Sequence, residues 1–238
     1  MAVTFKQLLN RALRITGEDE IADTTDAVTD KQQLIVAEMC NQIKEEVEAA
    51  HNWRALRQTV TVSLTGSDPN AIITEANERS RIVRIMEPHY GREVALAWDI
   101  TDTSNPTPLW ELDLPELLRR REMNPTTEND PAHFALDNSS GDVLNLEVYP
   151  TPSDSRTIKL MLIIPQDRLD AADTTDLVTS IKVPTRPIEL GLIRYVLEER
   201  GEELGVNSQF SEEKEARALR DAVSLDLAEQ GDMSLVPE

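Results

Sequence analysis

A single cysteine, Cys40, among 238 residues excludes an internal disulfide framework and a zinc site built from cysteines. Glycine is also scarce, with eight residues, and the chain contains no P-loop, dinucleotide-binding or nucleophile-elbow signature. No uninterrupted apolar run is longer than Leu160–Ile164, which is far shorter than the roughly 20 residues of a membrane-spanning helix. These absences predict a soluble protein of a reducing compartment.

The chain also has few positively charged residues. The chain has 24 Lys and Arg residues against 44 Asp and Glu residues, which gives a formal net charge of −20. Such a surface repels a phosphate backbone and disfavours a general nucleic-acid binder. Trp, Tyr and Phe contribute only three residues each, so a core must be mostly aliphatic.

No group of residues has the spacing of a catalytic or metal site. The histidines His51, His89 and His133 are far apart in sequence, and none belongs to a metal-binding pattern. Cys40 lies on the apolar stripe of a predicted helix, where a small buried side chain is expected. The glutamates within 198–203 fit a solvated helical face. The sequence therefore predicts no enzymatic activity, no cofactor and no metal.

The N-terminal part has helical periodicity. Thr4 is expected to cap a first helix that Gly17 ends. Thr29 is expected to cap a longer helix over 30–50, whose apolar residues recur at helical spacing. Trp53 follows this helix and is expected to pack back onto its apolar stripe.

Helical periodicity returns near the C-terminal end. In the segment 187–204 apolar residues point in nearly every direction, which predicts burial among other helices and against neighbouring subunits. Ile193 and Val196 are the candidate interface residues of this helix. Ser211 is expected to cap a last helix.

The tail 231–238 is the other C-terminal candidate. Its apolar residues Met233, Leu235 and Val236 are candidate contacts with a portal protein or an adjacent subunit. A frayed end is the alternative interpretation.

The middle of the chain has the period of β-strands. Strands are expected at 59–65, 71–74, 82–86, 93–98, 144–149 and 157–164, with a short helix that Asp113 caps. Three aromatic residues in polar surroundings, Tyr90, Trp98 and Trp110, are candidate contacts with a distal tail component. The alternative is that Trp98 and Trp110 fill the core of this block.

These patterns predict an α+β fold. The segments 1–57 and 184–230 would form a helical bundle, 58–183 a mostly antiparallel β insertion, and 231–238 a tail. An internal repeat, ADTTDAVT at 22–29 and ADTTDLVT at 172–179, adds two pairs of aspartates. A cation site is one interpretation of these pairs, but capping and turn formation are favoured.

The order of the elements resembles a known family. ALRITGEDE, an acidic spacer, a long helix, HNWRAL and TVTVSLTG follow one another, and LNLEVYPTPSDSRTIKLMLIIP and KVPTRPIELGLIRYVLEERGE come later. This arrangement resembles the head-to-tail adaptor proteins of tailed bacteriophages, the family that includes tail tubular protein A. The segment 99–135 and the tail do not match it.

The resemblance implies a structural virion protein without enzymatic activity. Such adaptors are made in the host cytoplasm and form a ring, usually of twelve subunits, at the head–tail junction. The ring binds the portal protein and the tail nozzle protein, and in some cases tail fibres, and DNA passes through its lumen without specific binding. The alternative function from the residues themselves is an acidic interaction module, such as an inhibitor that mimics DNA.

Overall fold

A computed structural model describes residues 3–22, 28–87, 92–124, 129–138, 143–199 and 205–231. The chain forms two compact units. We call the unit of 1–56 with 166–238 the helical unit, and 57–165 the sheet unit. The predicted α+β fold class is confirmed.

The described residues contain six α-helices: α1 (Phe5–Thr16), α2 (Lys31–Ala50), α3 (Leu114–Met123), α4 (Thr174–Leu177), α5 (Thr185–Glu199) and α6 (Gly205–Gly231). One 3-10 turn, Arg54–Leu56, precedes the first strand. None of the described helices combines the length and the apolar composition that a bilayer crossing requires.

The first two helices begin at polar caps. The Gln7 amide donates to the Thr4 hydroxyl at 3.3 Å, and the Thr4 amide donates to the Gln7 side chain at 3.1 Å, so the predicted cap is confirmed. Gly17 ends α1 in the left-handed conformation at φ 72°, also as predicted. For α2 the prediction of a Thr29 cap was wrong: the side chain of Asp30 accepts from the Gln33 amide at 3.0 Å. A carboxylate one residue later reaches the first turn equally well.

Aliphatic side chains fill the core of the helical unit. The buried residues on its three inner helices are Phe5, Leu8, Leu9, Ala12, Leu13, Val36, Ala37, Cys40, Ile43, Val47, Ile188, Leu192 and Val196. Trp53 is buried and its Nε1 donates to the Val47 carbonyl at 2.6 Å, which confirms that it packs back onto α2.

The two C-terminal helices differ in burial. Every residue of α5 from Pro187 to Leu197 is buried or half-buried, as its apolar composition predicts. In α6, by contrast, every residue from Glu212 to Glu229 is half-buried or exposed. The prediction that Ser211 begins this helix was wrong, because α6 already begins at Gly205.

Eleven strands are described in the sheet unit: β1 (Arg57–Leu64), β2 (Asn70–Ile73), β3 (Arg81–Ile82), β4 (Arg84–Glu87), β5 (Arg92–Ala95), β6 (Ala97–Asp99), β7 (Thr107–Pro108), β8 (Trp110–Glu111), β9 (His133–Asp137), β10 (Leu144–Tyr149) and β11 (Arg156–Ile163). One sheet has the order β1-β11-β6-β7, with β3 also pairing with β11. A second sheet has the order β2-β10-β9-β8, and β4 and β5 form a hairpin.

The core of the sheet unit draws on both sheets. Val60, Val62 and Leu64 of β1 are buried while their neighbours are exposed, so the predicted alternation is confirmed. Leu144, Leu146 and Val148 of β10 contribute to the same core from the other sheet. All pairs are antiparallel except β8 with β9.

Two sequence predictions for the middle block need correction. The strands expected over 82–86 and 93–98 are each interrupted, at Val83 and at Leu96, where the chain passes from the sheet to the β4–β5 hairpin. The strand β9 was not predicted. Its segment, HFALD, places Phe134 and Ala135 in the core side by side and lacks the alternation that identifies a half-buried strand.

Candidate docking surfaces

The residues 166–183, which the sequence assigns to the β insertion, belong to the helical unit. A buried polar cluster on α2 holds them there. The Lys44 ammonium donates to the carbonyls of Gln166 at 2.9 Å and Asp167 at 2.6 Å. The side-chain amide of Asn41 donates to the Leu169 carbonyl at 2.8 Å, and its oxygen accepts from the Leu169 amide at 3.0 Å. These bonds fix the returning chain against the helix.

Glu48 completes this cluster. One oxygen of its carboxylate lies 3.9 Å from Lys44 Nζ and accepts from the Gln166 amide at 3.2 Å. Lys44 and Glu48 are 0% and 1% exposed, so the charges rely on each other and on the backbone rather than on water. The Gln166 side chain extends the cluster by donating to the Ser180 carbonyl at 3.0 Å.

Polar contacts connect the last helix to the rest of the helical unit. Arg194 of α5 donates to Glu215 of α6 at 3.1 Å. At the other end of α6, His51 Nε2 lies 2.9 Å from an Asp226 carboxylate oxygen, and Arg54 pairs with Glu229.

A glycine in α5 makes room for these contacts. A Cβ on Gly191 would lie 2.8 Å from a Glu215 side-chain oxygen and 3.1 Å from an Ile43 methyl carbon. Glycine therefore permits side chains of α2 and α6 to approach α5 closely at this position.

Two open grooves border α6, and their volumes are about 550 and 600 Å³. Pro184, Thr185, Ala222 and Leu225 line both. Leu225 is 67% exposed, and Leu227, two residues later, is 51% exposed. Leu225 thus places one large, mostly exposed apolar side chain at both grooves.

The candidate residues of the helical unit occupy different environments. Val196 is 1% exposed and belongs to the core, whereas Ile193, less than one helical turn before it, is half-buried. The tail candidates Met233, Leu235 and Val236 lie outside the described residues.

The aromatic candidates of the sheet unit are also separated. Trp98 is half-buried between the buried residues Ala97 and Asp99 of β6, so it lies on the face of the sheet opposite the core. Trp110 is 38% exposed on β8. Neither tryptophan belongs to the core cluster, and Tyr90 lies outside the described residues.

A cluster of charged residues lies close to Trp110. Trp110 pairs with His133 of β9, and burial followed by the charge of Arg120 lowers the pKa of His133. Arg119 and Arg120 both donate to Glu116, and these bonds hold the pKa of that carboxyl at about 2. The surface around the exposed tryptophan therefore carries fixed charges of both signs.

The groups considered for chemistry have structural roles where they are described. Burial raises the pKa of the Cys40 thiol to about 12, which confirms a small buried side chain. Asp173 accepts from the Thr175 amide at 2.8 Å and caps α4, so the capping interpretation of the second repeat is confirmed. Residues 23–27 of the first repeat, like His89, lie outside the described residues. The part of the chain that is described contains no group of His, Cys, Asp and Glu suited to a metal ion.

Three features of these surfaces were not anticipated from the sequence: the Lys44 cluster, the role of Gly191 and the exposure of Leu225. A glycine amid an apolar helix, in ELGLIRYV, was the one available signal of close helix packing. A lysine and a glutamate four residues apart give no such signal, because the same spacing is common on exposed helices.

Comparison with known proteins identifies one family. The model of the SU10 adaptor protein family matches residues 3–237, nearly the whole chain. No curated protein matches the chain.

Proposed function

Because the chain belongs to the SU10 adaptor protein family, a family of phage head-to-tail adaptors, we propose that it forms a ring between the portal protein and the tail nozzle. The family match over residues 3–237 carries this proposal. In this proposal the protein is a structural component of the virion and continues the DNA channel. It has no enzymatic activity and no cofactor. We further propose a ring of twelve subunits of the tail tubular protein A type, to which tail fibres can attach.

The charge of the chain supports a channel role. At −20 per subunit, twelve copies would carry a formal charge of about −240, part of which counterions and partner cations neutralise. A lumen with net negative charge repels DNA phosphates, and DNA can slide through it without adhering. Specific DNA binding is not part of the proposal.

The exposed apolar side chains support assembly. In the helical unit, Ile193 and the grooved surface at Leu225 are the proposed contacts with neighbouring subunits, and the tail with Met233, Leu235 and Val236 is proposed to contact the portal or an adjacent subunit. In the sheet unit, Trp110 is 38% exposed, stands beside charged residues and is a proposed nozzle contact. Trp98 and Tyr90 remain proposed contacts of the same surface.

Acidity alone would also fit the second candidate, an inhibitor that mimics DNA. Such a mimic needs an unneutralised row of carboxylates. Many described carboxylates instead pair with arginines, including Glu20 with Arg14, Glu111 with Arg84 and Glu147 with Arg121. This distribution supports the adaptor over the mimic.

Electron microscopy of the purified chain mixed with its portal protein tests the proposal. A ring seated on the portal is the expected result, and free rings are not required because the portal can template assembly. Ile193→Asp should weaken this ring, whereas Val178→Asp, a change of the same type at a residue that is 68% exposed in the same unit, should not. A wild-type chain that forms no complex with the portal, and instead blocks a DNA-binding protein as a monomer, would refute the adaptor and favour the mimic.

Replacing Trp110 by Ala tests the distal contact separately. We expect loss of nozzle binding at an unchanged melting temperature, because the side chain is 38% exposed and lies outside the core cluster. A large drop in melting temperature with normal nozzle binding would instead assign Trp110 to stability.

A further inference from the structure

The first strand of the sheet unit, β1, is a long edge strand. It lies at the end of its sheet and pairs with β11 over eight residues, from Arg57 to Leu64. The strands at the other ends of the two larger sheets are shorter: β2 has four residues, and β7 and β8 have two each, with Pro108 in β7. Short strands and proline limit further pairing at an edge, whereas a long edge strand favours it.

The hydrogen bonds of β11 identify the backbone groups of β1 that point outward. The Met161 amide of β11 donates to the Leu96 carbonyl at 3.0 Å, on the side of β11 that faces β6. Met161 is opposite Thr59 in the register of β1 and β11. Because bonding directions alternate along a strand, the N–H and C=O groups of Thr59, Thr61 and Ser63 point away from β11. Within the described part of the chain, these groups have no hydrogen-bond partner.

β1 also lacks the features that usually protect an edge strand. The side chains of Thr59, Thr61 and Ser63 are exposed, and the ten residues 58–67 carry no charge, although the net charge of the chain is −20. Lysine, proline or a bulge commonly blocks additional pairing at an edge. None of these three occurs in β1, whose register with β11 is continuous. The edge can therefore accept another extended strand.

A second copy of β1 fits this edge in antiparallel register. The occupant must be an extended strand with a free edge of similar length, and β1 itself meets this requirement. If Thr61 pairs with Thr61 of the second copy, Thr59 lies opposite Ser63, and each such pair can exchange two N–H···O bonds. We propose that β1 joins two copies of this chain in one antiparallel sheet.

The side chains match in this register on both faces of the sheet. On the exposed face only hydroxyl side chains would meet, as Thr–Thr and Thr–Ser pairs, which are favourable across neighbouring strands. On the buried face Val60 would lie opposite Val62 of the second copy, so the apolar face of the sheet would continue from one copy to the other.

The charges nearest to the edge do not oppose each other. Arg57 would lie opposite the uncharged Thr65. Lys159, which is opposite Thr61 on β11, would be three strand spacings from its counterpart. This distance is about 14 Å, which exceeds the screening length of about 8 Å at physiological salt. The net charge of −20 on each copy still opposes association, so added salt should strengthen the dimer.

The proposed dimer is distinct from the proposed ring. A two-fold contact joins copies in pairs, whereas a cyclic ring requires head-to-tail contacts that repeat around it. The dimer is therefore a form of the chain outside the ring, and a ring on the portal neither requires nor excludes it.

Sedimentation of the full chain without portal, over a range of concentrations, tests the inference. We expect a monomer–dimer equilibrium that salt strengthens. Thr61→Glu should weaken the dimer about five- to tenfold, because two like charges would meet at its centre. Mixing this variant with Thr61→Lys should restore a dimer with one copy of each. Thr103→Glu, the same change at an exposed residue of the sheet unit outside β1, should have no effect.

Disulfide trapping tests the register. Two differently tagged copies, one with Thr59→Cys and one with Ser63→Cys, should form a covalent dimer on oxidation, because these positions are opposite each other. Two copies that both carry Thr59→Cys should not, because four residues separate these positions along the strands, or about 13 Å. The native Cys40 is 0% exposed and does not compete.

Three outcomes would overturn the inference. The first is a wild-type chain that remains a monomer at every concentration and salt level. The second is a dimer that Thr61→Glu and Thr103→Glu weaken equally, and the third is equal trapping of Thr59→Cys with itself and with Ser63→Cys. A monomeric chain that loses binding to the portal or nozzle in Thr61→Glu would instead assign the edge to a strand of that partner, and would likewise reject the second copy.

Discussion

Replacing Lys44 by Met tests whether the buried polar cluster holds the returning chain onto the helical unit. The Met side chain is unbranched like that of Lys and one heavy atom shorter, so the substitution removes the ammonium group with its charge and its donors. The carbonyls of Gln166 and Asp167 lose the Lys44 donor, and the Glu48 carboxylate, at 1% exposure, loses the ammonium that lies 3.9 Å from it. Breaking a buried pair in this way costs about 3–5 kcal/mol, so the free energy of unfolding should fall by that amount.

A double variant separates the buried charge from the lost hydrogen bonds. Glu48→Gln keeps an oxygen that can accept from the Gln166 amide but carries no charge. In the background of Lys44→Met it removes the buried negative charge that has lost the Lys44 ammonium, and about 1–3 kcal/mol should return. The double variant should therefore be more stable than Lys44→Met alone, although still less stable than the wild type.

Urea unfolding followed by the helical circular dichroism signal measures these free energies. Lys31→Met, the same change at an exposed residue in the first turn of α2, is the control and should stay within about 0.5 kcal/mol of the wild type. A loss below about 1 kcal/mol for Lys44→Met, or a double variant less stable than the single one, would refute the electrostatic account.

Three further predictions concern groups whose environment is well defined. Because burial raises the pKa of Cys40 to about 12, a thiol reagent at about pH 8 should leave the native protein unmodified and react once it is unfolded; reaction of native protein would contradict the burial. Hydrogen bonds from Arg119 and then Arg120 hold the pKa of Glu116 at about 2, below its ordinary value of 4.5. These ion pairs should therefore persist at pH values below 4.5 and break only as the pH falls through about 2. An NMR titration should find a higher pKa for Glu116 in Arg119→Gln. Gly191→Val should cost about 1–3 kcal/mol through overpacking against Ile43, seen as a melting temperature lowered by several degrees; an unchanged value would show that the helices can move apart.

Local chemistry was enough to predict several elements. The cap at Thr4, the stop at Gly17 and the alternation of Val60, Val62 and Leu64 each depend on residues that are neighbours in sequence. Their energetics are decided within one turn or one strand, so no knowledge of the rest of the chain is needed. The α+β fold class follows from the same local periods.

Contacts between distant residues explain what was missed. The segment 166–183 has no clear period, and its place is set by bonds between Gln166 or Leu169 and residues of α2 that precede them by more than 100 positions. The strand β9 is likewise fixed by β10 and by the parallel strand β8 rather than by its own sequence. Non-local pairing of this kind leaves little trace in a single sequence.

The candidate docking residues also combine a feature that the sequence predicts with one that depends on distant contacts. The apolar composition of α5 predicts that its side chains are covered, but Val196 proves to be a core residue and Ile193 only half-buried. The difference depends on how α5 is rotated against α1 and α2, which the packing partners decide. In α6, by contrast, the large apolar side chains of Leu225 and Leu227 are exposed.

The exposure of α6 bears on how an adaptor can remain unassembled until its partner is present. Fully burying one leucine contributes about 1.5–3 kcal/mol, and Leu225 and Leu227 are already partly covered at 67% and 51% exposure. Full burial of both would supply only about 2–4 kcal/mol in all, less than the entropy cost of joining two free chains. In the proposed assembly, a neighbour already held on the portal would remove most of that cost, because its contact would become effectively intramolecular. Apolar contributions of this size from α6 would therefore favour the proposed assembly on a template over spontaneous association in solution.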